Sequence, residues 1–431
     1  MIMRQMITVI GCDGGPLSER ARTALAAARC VAGSDRQLAG IALPDADRIT
    51  IGGAEGAITS SAPITSSAPI TGGAASATPA TTSAASSAFE TALAAILSHP
   101  GPVAVLASGD PGFFGIVRAL AVRGTAPAVI PAVSSVALAF ARFGLPWDDA
   151  LVLSAHGRDA TPVLAAALGC GKAAILTAPG PAAGPHRFIP ALLAAGRSVH
   201  VAERLGAPDE RFSTVAAGPL PEFADPNIVI ALDGPTGGRR WMAGHQGAPA
   251  GWALPTDAFA HRDSMITKEE VRALVLARLG PGPGRTIWDI GSGSGSVAIE
   301  CARFGAHSIA IEADPAQCER IRANAVAHGV RVQMCEGSAP EAFAGLIHAD
   351  AVFVGGGGDA VLAAAAAARP ARVVVALASV DRVRRVRDLL AGHGYLVDGT
   401  ALQASRLAAL PGGSIRLAAV NPVFVLWGNL P

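Results

Sequence analysis

At 431 residues the chain is too long for one compact core and requires at least two domains. Its net charge of +1 and charged fraction of 16%, against roughly 25% in an average soluble protein, leave no basic field for nucleic acid. No two of its six cysteines are closer than 17 residues (Cys301 to Cys318, Cys318 to Cys335), which excludes a C-x-x-C ligand pair, argues against a disulfide framework and fits a reducing cytoplasm.

The first apolar run, Ile7 to Ile10, is too short for a signal-peptide core and reads as a strand. Helical patterns over Arg20 to Ala32, Phe89 to Ser98, Phe114 to Val122 and Ser134 to Phe143 are interleaved with β-like runs at Val103 to Ala107, Leu151 to Leu153 and Ala173 to Thr177. Strands separated by helices imply parallel α/β layers, here within a first domain over 5–235. Residues 54–88 interrupt it with Ala, Ser, Thr, Gly and Pro, including TSSAPI twice in tandem (Thr59 to Ile64, Thr65 to Ile70). Such a segment buries too little apolar surface to offset its ordering entropy, so a disordered surface insertion is expected there. Gly, Pro, His and Arg crowd together over 236–262, where the linker is expected.

A second domain follows over 263–431. Thr267-Lys268-Glu269-Glu270 predicts a helix start with a capping box between Thr267 and Glu270, which leaves Lys268 for function. From Thr286 seven β-like runs are predicted, the others being Ser308 to Ile311, Val330 to Met334, Ala351 to Val354, Val373 to Leu377, Leu396 to Ala401 and Ile415 to Leu426, the last pair without an intervening helix. The apolar stretch Ala360 to Val380 is broken by Arg369, Pro370 and Arg372 and predicts no membrane span, while Arg382, Arg384, Arg385 and Arg387 read as a solvated helix face.

The chemistry concentrates at Trp288-Asp289-Ile290-Gly291-Ser292-Gly293-Ser294-Gly295-Ser296, with Glu312 closing the next strand. The glycines let the backbone pass close to a ligand, Asp289 can accept ammonium hydrogens, and the two oxygens of Glu312 suit paired ribose hydroxyls. A dinucleotide fingerprint is the nearest competitor, but Ser296 stands at its third glycine and an Asp precedes the first by two. The pattern therefore predicts an S-adenosylmethionine site. Ligands of open α/β sheets bind at strand carboxyl ends, where Glu336-Gly337-Ser338 and Gly355 to Gly358 join the same crevice.

Residues 260–431 resemble the class I, Rossmann-like decarboxylating precorrin methyltransferase domain of cobalamin biosynthesis, through Ile266 to Arg272, Trp288 to Gly295, Ala351 to Gly358 and Asn421 to Leu426. Residues 5–235 resemble the two-lobed tetrapyrrole methylases, a class III fold, in the branch acting on precorrin-6Y. Here Ser108-Gly109-Asp110-Pro111-Gly112-Phe113-Phe114-Gly115 looks like the donor-binding loop, and Ile130 to Val136 and Leu153 to Arg158 like the next segments of the cleft. The resemblance implies Gly109, Asp110, Phe113, Ser134 and Ser135 as donor contacts in the first half, and Gly337, Ser338 and Ala339 beside the glycine loop in the second. Gly11 to Gly15 lacks the family's glycine-proline-glycine wording, and Ser338 replaces an acid that relatives carry. A fused enzyme is implied, with one S-adenosylmethionine per domain and no metal, methylating a precorrin at carbons 5 and 15 and removing a ring acetate carboxyl. A homo-oligomer is implied as well.

A substrate with many carboxylates should meet arginines, and Arg158, Arg211 and Arg416 lie near loops or strand ends, with Gly355, Gly356 and Gly357 as further substrate contacts. His156, Asp110 and Lys268 are candidates for moving protons, although Asp110 suits the donor loop and His156 and Lys268 equally suit a cap and a surface charge. Two other classes are a nucleic-acid methyltransferase, prompted by Asn421-Pro422-Val423-Phe424, and a donor sensor. The first lacks its loop after the fourth strand, the second any appended partner module.

Overall fold

The computed structural model describes residues 6–51, 58–59, 81–233, 249, 251–262 and 266–431, arranged around three main sheets. The first contains β1 (Ile7–Cys12), β2 (Cys30–Gly33), β3 (Asp47–Thr50), β4 (Ile58–Thr59), β5 (Val103–Ser108) and β6 (Ala128–Ile130) in the order β4-β3-β2-β5-β1-β6, parallel except for β4. The second contains β7 (Leu151–Ser154), β8 (Lys172–Leu176), β9 (Ser198–Glu203), β10 (Arg211–Val215) and β11 (Asn227–Leu232) in the order β10-β9-β11-β8-β7.

The third sheet carries β12 (Thr286–Ile290), β13 (His307–Glu312), β14 (Gln333–Glu336), β15 (Ala351–Val354), β16 (Arg372–Leu377), β17 (Leu396–Leu402) and, after a separate hairpin of β18 (Ser405–Ala409) and β19 (Ile415–Ala419), β20 (Val423–Asn429). Its order is β14-β13-β12-β15-β16-β20-β17, with β20 antiparallel to both neighbours. Side-chain alternation along β12 feeds two layers. Trp288 and Ile290 pack with the helices Gly358–Ala367 and Asp381–Gly392, and Ile287 packs with Glu269–Leu279 and Ser296–Arg303. Each fully buried aliphatic side chain, such as Leu390 or Val275, contributes about 1.5–3 kcal/mol.

Several sequence expectations shift. The run Arg20 to Ala32 divides into the helix Glu19–Ala26 and β2, because Cys30, Val31 and Ala32 slot beside β5 with no exposed face. The helix expected from Phe114 begins at Ile116, since Phe114 adopts φ 55°. Ile415 to Leu426 is two strands, β19 and β20, broken at Val420 to Pro422, and only β20 enters the sheet. Most of the 54–88 segment lies outside the described residues, but Thr81–Ser98 is one helix, so the insertion's last residues are helical.

No Thr267 capping box forms. Lys268 is the N-cap of Glu269–Leu279 without a side-chain cap bond, because Glu269 Oε2 instead accepts from Thr256 N at 2.8 Å, and Glu270 pairs with Arg406. The latter half of the expected linker, 251–262, belongs physically to the C-terminal unit. Phe259 packs on Ile299 and Ala325, and the Asn324 amide clamps the N–H and carbonyl of Ala260 at 2.9 Å each.

The second lobe of the N-terminal half also touches that unit. Arg331 ion-pairs with Asp233 and donates to Ala195 O at 2.7 Å, while the lack of a side chain at Gly169 admits Gly305 O, which a Cβ would meet at 2.9 Å. Among the described residues no helix is long and apolar enough to cross a membrane.

Candidate functional site

Two crevices sit at strand ends, one in each half. In the C-terminal sheet the chain leaves β12 toward β13 on one side and β15 toward β16 on the other, so the carboxyl ends of β12 and β15 open a cleft at the reversal of strand order. The loops Gly291 to Gly295 and Gly355 to Gly358 flank it in contact with each other. A Cβ on Gly291 (φ 68°) would lie 3.1 Å from Gly356 N, and one on Gly355 would lie 3.2 Å from Gly291 O. Glycine is required at position 291 both by conformation and by this approach.

Asp289, the penultimate residue of β12, is 1% exposed. Its Oδ2 accepts from Ser292 Oγ at 2.7 Å and from Ala298 N at 2.9 Å, while its Oδ1 has no hydrogen-bond partner among the described residues. Burial pushes its carboxyl up to about 6, against the lowering effect of the Ser292 hydroxyl and the Ala298 N–H. A buried carboxylate oxygen without a partner costs free energy and marks where a donor belongs.

Glu312 closes β13. Its Oε2 accepts from Gly293 N at 2.8 Å, and its Oε1 from Ala313 N at 2.9 Å and Asp314 N at 3.0 Å, so the side chain is held against the glycine loop. Gly337, at φ 153°, donates to Glu312 O at 2.9 Å and brings Ser338 and Ala339 to the same rim, with Ser338 exposed and Ala339 half-buried. Ser294 is buried, and its carbonyl accepts from Asn324 Nδ2 at 2.9 Å. Gly295 (φ 78°) turns the chain into the helix Ser296–Arg303, and a Cβ there would strike Ile321 at 3.0 Å.

The crevice of the N-terminal half forms where Cys12 and Ser108 end β1 and β5 side by side, with β6 flanking β1. Gly109 (φ 63°) donates to Cys12 O at 2.7 Å and leaves room for Ser134 and Ser135, since a Cβ would lie 2.9 Å from Ser135 N. Asp110 Oδ1 accepts from Gly112 N at 2.9 Å, shaping the loop that presents Phe113, and Ser134 Oγ caps the helix Ser135–Arg142 through Ala137 N.

The loop Gly11 to Gly15 packs against the segments on either side of it. Asp13 Oδ2 accepts from Val133 N at 3.3 Å, and a Cβ on Gly11 would lie 2.5 Å from Gly109 O. Gly14 meets Gly206 of the second lobe so closely that a Cβ on Gly14 would sit 1.8 Å from Gly206 O. Sequence reading missed Gly206, because nothing local to Leu205-Gly206-Ala207 signals a contact 190 residues away.

Of the remaining candidates, Arg158 reaches this cleft. Its guanidinium lies 5.7 Å from the Phe114 ring centre, and Nη1 donates to Ser154 Oγ at 2.9 Å and to His156 O at 3.2 Å, with His156 itself exposed alongside. Arg211 is instead bound to Glu203, at 2.6 Å, on the opposite edge of the second sheet from β7. Arg416 lies in the β18–β19 hairpin, outside the seven-stranded sheet, and that hairpin leaves from Leu402 and returns at Val423, beside the carboxyl end of β16 at Leu377. Lys268 is half-buried, and its carbonyl accepts from Arg272 N at 2.8 Å. Arg382 and Arg385 lie beside Asp359, and Arg384 and Arg387 beside Asp388, as a solvated face would.

Comparison with known proteins matches each half separately. Residues 257–423 match the precorrin methyltransferase domain, and residues 9–223 match the tetrapyrrole (corrin/porphyrin) methylases. A Sinorhizobium protein named precorrin-6Y C(5,15)-methyltransferase (decarboxylating) is 38% identical over 287 residues, covering 63% of this chain and 66% of the relative, so the chain spans just under two thirds of that relative's length. A Pyrobaculum calidifontis protein named probable cobalt-precorrin-6B C(15)-methyltransferase (decarboxylating) is 30% identical over 183 residues, covering 40% of this chain and 93% of the relative. The solved C-terminal domain of precorrin-6Y C5,15-methyltransferase from Rhodobacter capsulatus is 34% identical, with 41% of this chain and 97% of that domain covered and a TM-score of 0.37. Both halves thus match families of methyltransferases that act on corrin and porphyrin rings. The chain belongs to the precorrin methyltransferases, its family domain joined to a tetrapyrrole methylase half.

Proposed function

We propose that the chain is a bifunctional S-adenosylmethionine-dependent enzyme that methylates precorrin-6Y at carbons 5 and 15 and decarboxylates the ring C acetate. The N-terminal half, of the two-lobed class III kind, methylates carbon 5. The C-terminal half, Rossmann-like and class I, handles carbon 15 and the decarboxylation. The observation that carries the reading is a glycine loop at the strand carboxyl ends of each half, Gly291 to Gly295 held against Glu312 and Gly109 to Gly115 packed on Ser134 and Ser135.

The C-terminal crevice fits the cofactor on its own terms. The unpartnered Asp289 Oδ1 awaits a donor such as an ammonium, Glu312 stands at the end of the neighbouring strand with two carboxylate oxygens, and Gly293 has open space where a Cβ would point. In the other half Gly109, Asp110, Phe113, Ser134 and Ser135 hold the same group. When bound, S-adenosylmethionine supplies an electrophilic methyl on a sulfonium. The protein's part is to hold a nucleophilic ring carbon in line, which is worth roughly 7–11 kcal/mol in favourable cases. On this reading Arg158 orients substrate carboxylates, Gly355 to Gly357 admit the flat ring, and His156 and Lys268 are the candidates for moving protons.

The decisive experiment incubates the purified chain with labelled donor and precorrin-6Y. Two methyls should be transferred with release of carbon dioxide, and calorimetry should count two donors per chain. An Asp289→Ala, Gly293→Val double variant should bind one donor and transfer only the carbon 5 methyl. A wild-type count of one donor would defeat the two-site reading.

The raised carboxyl of Asp289 gives a second expected result. Burial makes the folded protein hold this proton up to about pH 6, above the ordinary 3.8, so ionising Asp289 with no cation beside it destabilises the fold as pH rises through that window. A bound ammonium reverses the preference, and binding must expel the proton below about pH 6. Donor affinity of the C-terminal pocket should therefore fall up to about tenfold for each pH unit below 6 and be flat above it. Calorimetry in buffers of different ionisation heat measures the released proton, and Asp289→Asn should abolish the release.

A further inference from the structure

We infer that Phe114 and Arg158 form a clasp at the mouth of the N-terminal crevice that grips a flat, carboxylate-bearing macrocycle, the Phe114 ring lying along its face and the guanidinium taking an edge carboxylate. The clasp presupposes the functional assignment of this half and adds to it the groups that hold the substrate.

Phe114 is one of only four non-glycine residues with positive φ among the described residues, at 55°. A bulky side chain in the left-handed region is strained, and such strain persists where surrounding structure imposes it. The cause is visible in the sequence of the loop. Asp110 Oδ1 binds Gly112 N, Phe113 N donates to Asp110 O at 3.1 Å, and Gly115 lies so close to Pro111 O that a Cβ would sit 2.8 Å away. The turn that shapes the crevice thus throws the two rings outward.

Folding gains only part of what full burial of the two rings would give. Phe113 is 38% exposed and Phe114 39%, their centroids 4.9 Å apart with planes at 71°, and Val133, 48% exposed, adds to the apolar surface of the neighbouring 130–135 segment. A strained backbone that exposes large apolar rings is the reverse of what stability alone favours. Arg158 comes from the other lobe, after β7, and its guanidinium stands over the Phe114 ring. Only Nη1 is held by protein groups, Ser154 Oγ and His156 O, and among the described residues none binds Nε or Nη2. A planar cation beside aromatic faces suits a flat conjugated ring with peripheral carboxylates better than it suits a small metabolite.

Phe114→Gly separates this role from a structural one, because glycine relieves the strain while removing the ring. In the full chain, KM for precorrin-6Y in carbon 5 methylation should rise on the order of tenfold. The affinities of both donor pockets and the carbon 15 step should stay within about twofold of wild type, and the unfolding midpoint should not fall. Phe114→Tyr, which keeps a flat ring, should restore KM. A falling midpoint that tracks the KM change, or an unchanged KM, would overturn the clasp.

Fluorescence titration with uroporphyrin III, a stable flat polycarboxylate, distinguishes the two levels of inference. If wild type transfers no methyl to precorrin-6Y yet binds uroporphyrin III in a Phe114-dependent way, the enzymatic assignment fails and the clasp stands. If wild type transfers both methyls and Phe114→Gly does so at the same KM, the clasp fails and the assignment stands. Absence of both transfer and binding removes both.

Discussion

Glu300→Ala is expected to destabilise the C-terminal unit by about 3–5 kcal/mol, the range for breaking a buried ion pair by removing one partner. Glu300 and Arg272 are both fully buried, with Arg272 Nε donating to Glu300 Oε1 at 2.9 Å. Glu300 also accepts from Leu254 N at 2.8 Å, Ala253 N at 2.9 Å and Arg303 Nη1 at 3.3 Å. Arg272 spends its other nitrogens on Thr267 O and Leu254 O and stacks over Phe259, 4.8 Å from the ring centre. Truncating the carboxylate strands a guanidinium that water cannot reach and orphans two backbone N–H groups.

Denaturant unfolding of the full chain should then show the C-terminal transition shifted to lower denaturant, and the segment 251–262 should become the first site of proteolysis. An Arg272→Met, Glu300→Leu double variant should recover much of the loss, because the cost lies in the unpaired charge rather than in the absent attraction. Equal destabilisation by the single and double variants would show that the hydrogen bonds to the 253–254 backbone, and not the charge, carry the effect.

This cluster also marks a limit of sequence reading. Glu300 and Arg272 sit 28 residues apart on two helices, each flanked by apolar neighbours, and no local pattern announces that they meet. The glycine loop of the C-terminal half was legible because its requirements are local: a strand, an acid, residues that tolerate φ near 60–80°, and a second acid one strand later, as Asp289, Gly291, Gly295 and Glu312 stand. The capping box at Thr267 failed for the opposite reason, since Glu269 and Glu270 found better partners in Thr256 and Arg406, far along the chain. Strand order was legible as a class and illegible in detail. Apolar periodicity over Ile415 to Leu426 reads as one strand, but Pro422 has no N–H to donate inside a ladder, and the pairing with β18 ends before Asn421-Pro422 while that with β17 and β16 begins after it.

On the proposed division of labour, Gly206→Ala is expected to abolish the carbon 5 step while sparing the carbon 15 step, through geometry alone. Gly206 follows β9 in the second lobe, and Asp13 and Gly14 follow β1 in the first. A Cβ on Gly206 would lie 1.9 Å from Asp13 O, a distance no rotamer can relieve because the obstacle is backbone. The lobes must separate by more than 1 Å to restore ordinary contact. Glu210 Oε2 fixes the Gly206 N–H at 2.8 Å, and Arg142 holds Glu210 in turn, so the second lobe cannot yield locally. Displacement then falls on Asp13, whose carboxylate holds Val133 N and with it the segment leading to Ser134 and Ser135.

A misplacement of about 1 Å costs on the order of a hundredfold in rate where two reactants must be held in line. Carbon 5 methylation should fall by at least that factor, and calorimetry should lose the donor site of the N-terminal half while retaining the other. Gly124→Ala is the control, since Gly124 shares the positive φ, 74° against 79°, but has nothing within 4 Å of its Cβ. Backbone strain alone would depress both variants alike. Only the closure of the two lobes on each other predicts that Gly206→Ala fails and Gly124→Ala works, and equal activity in both would mean that the N-terminal donor pocket does not depend on the contact between Asp13 and Gly206.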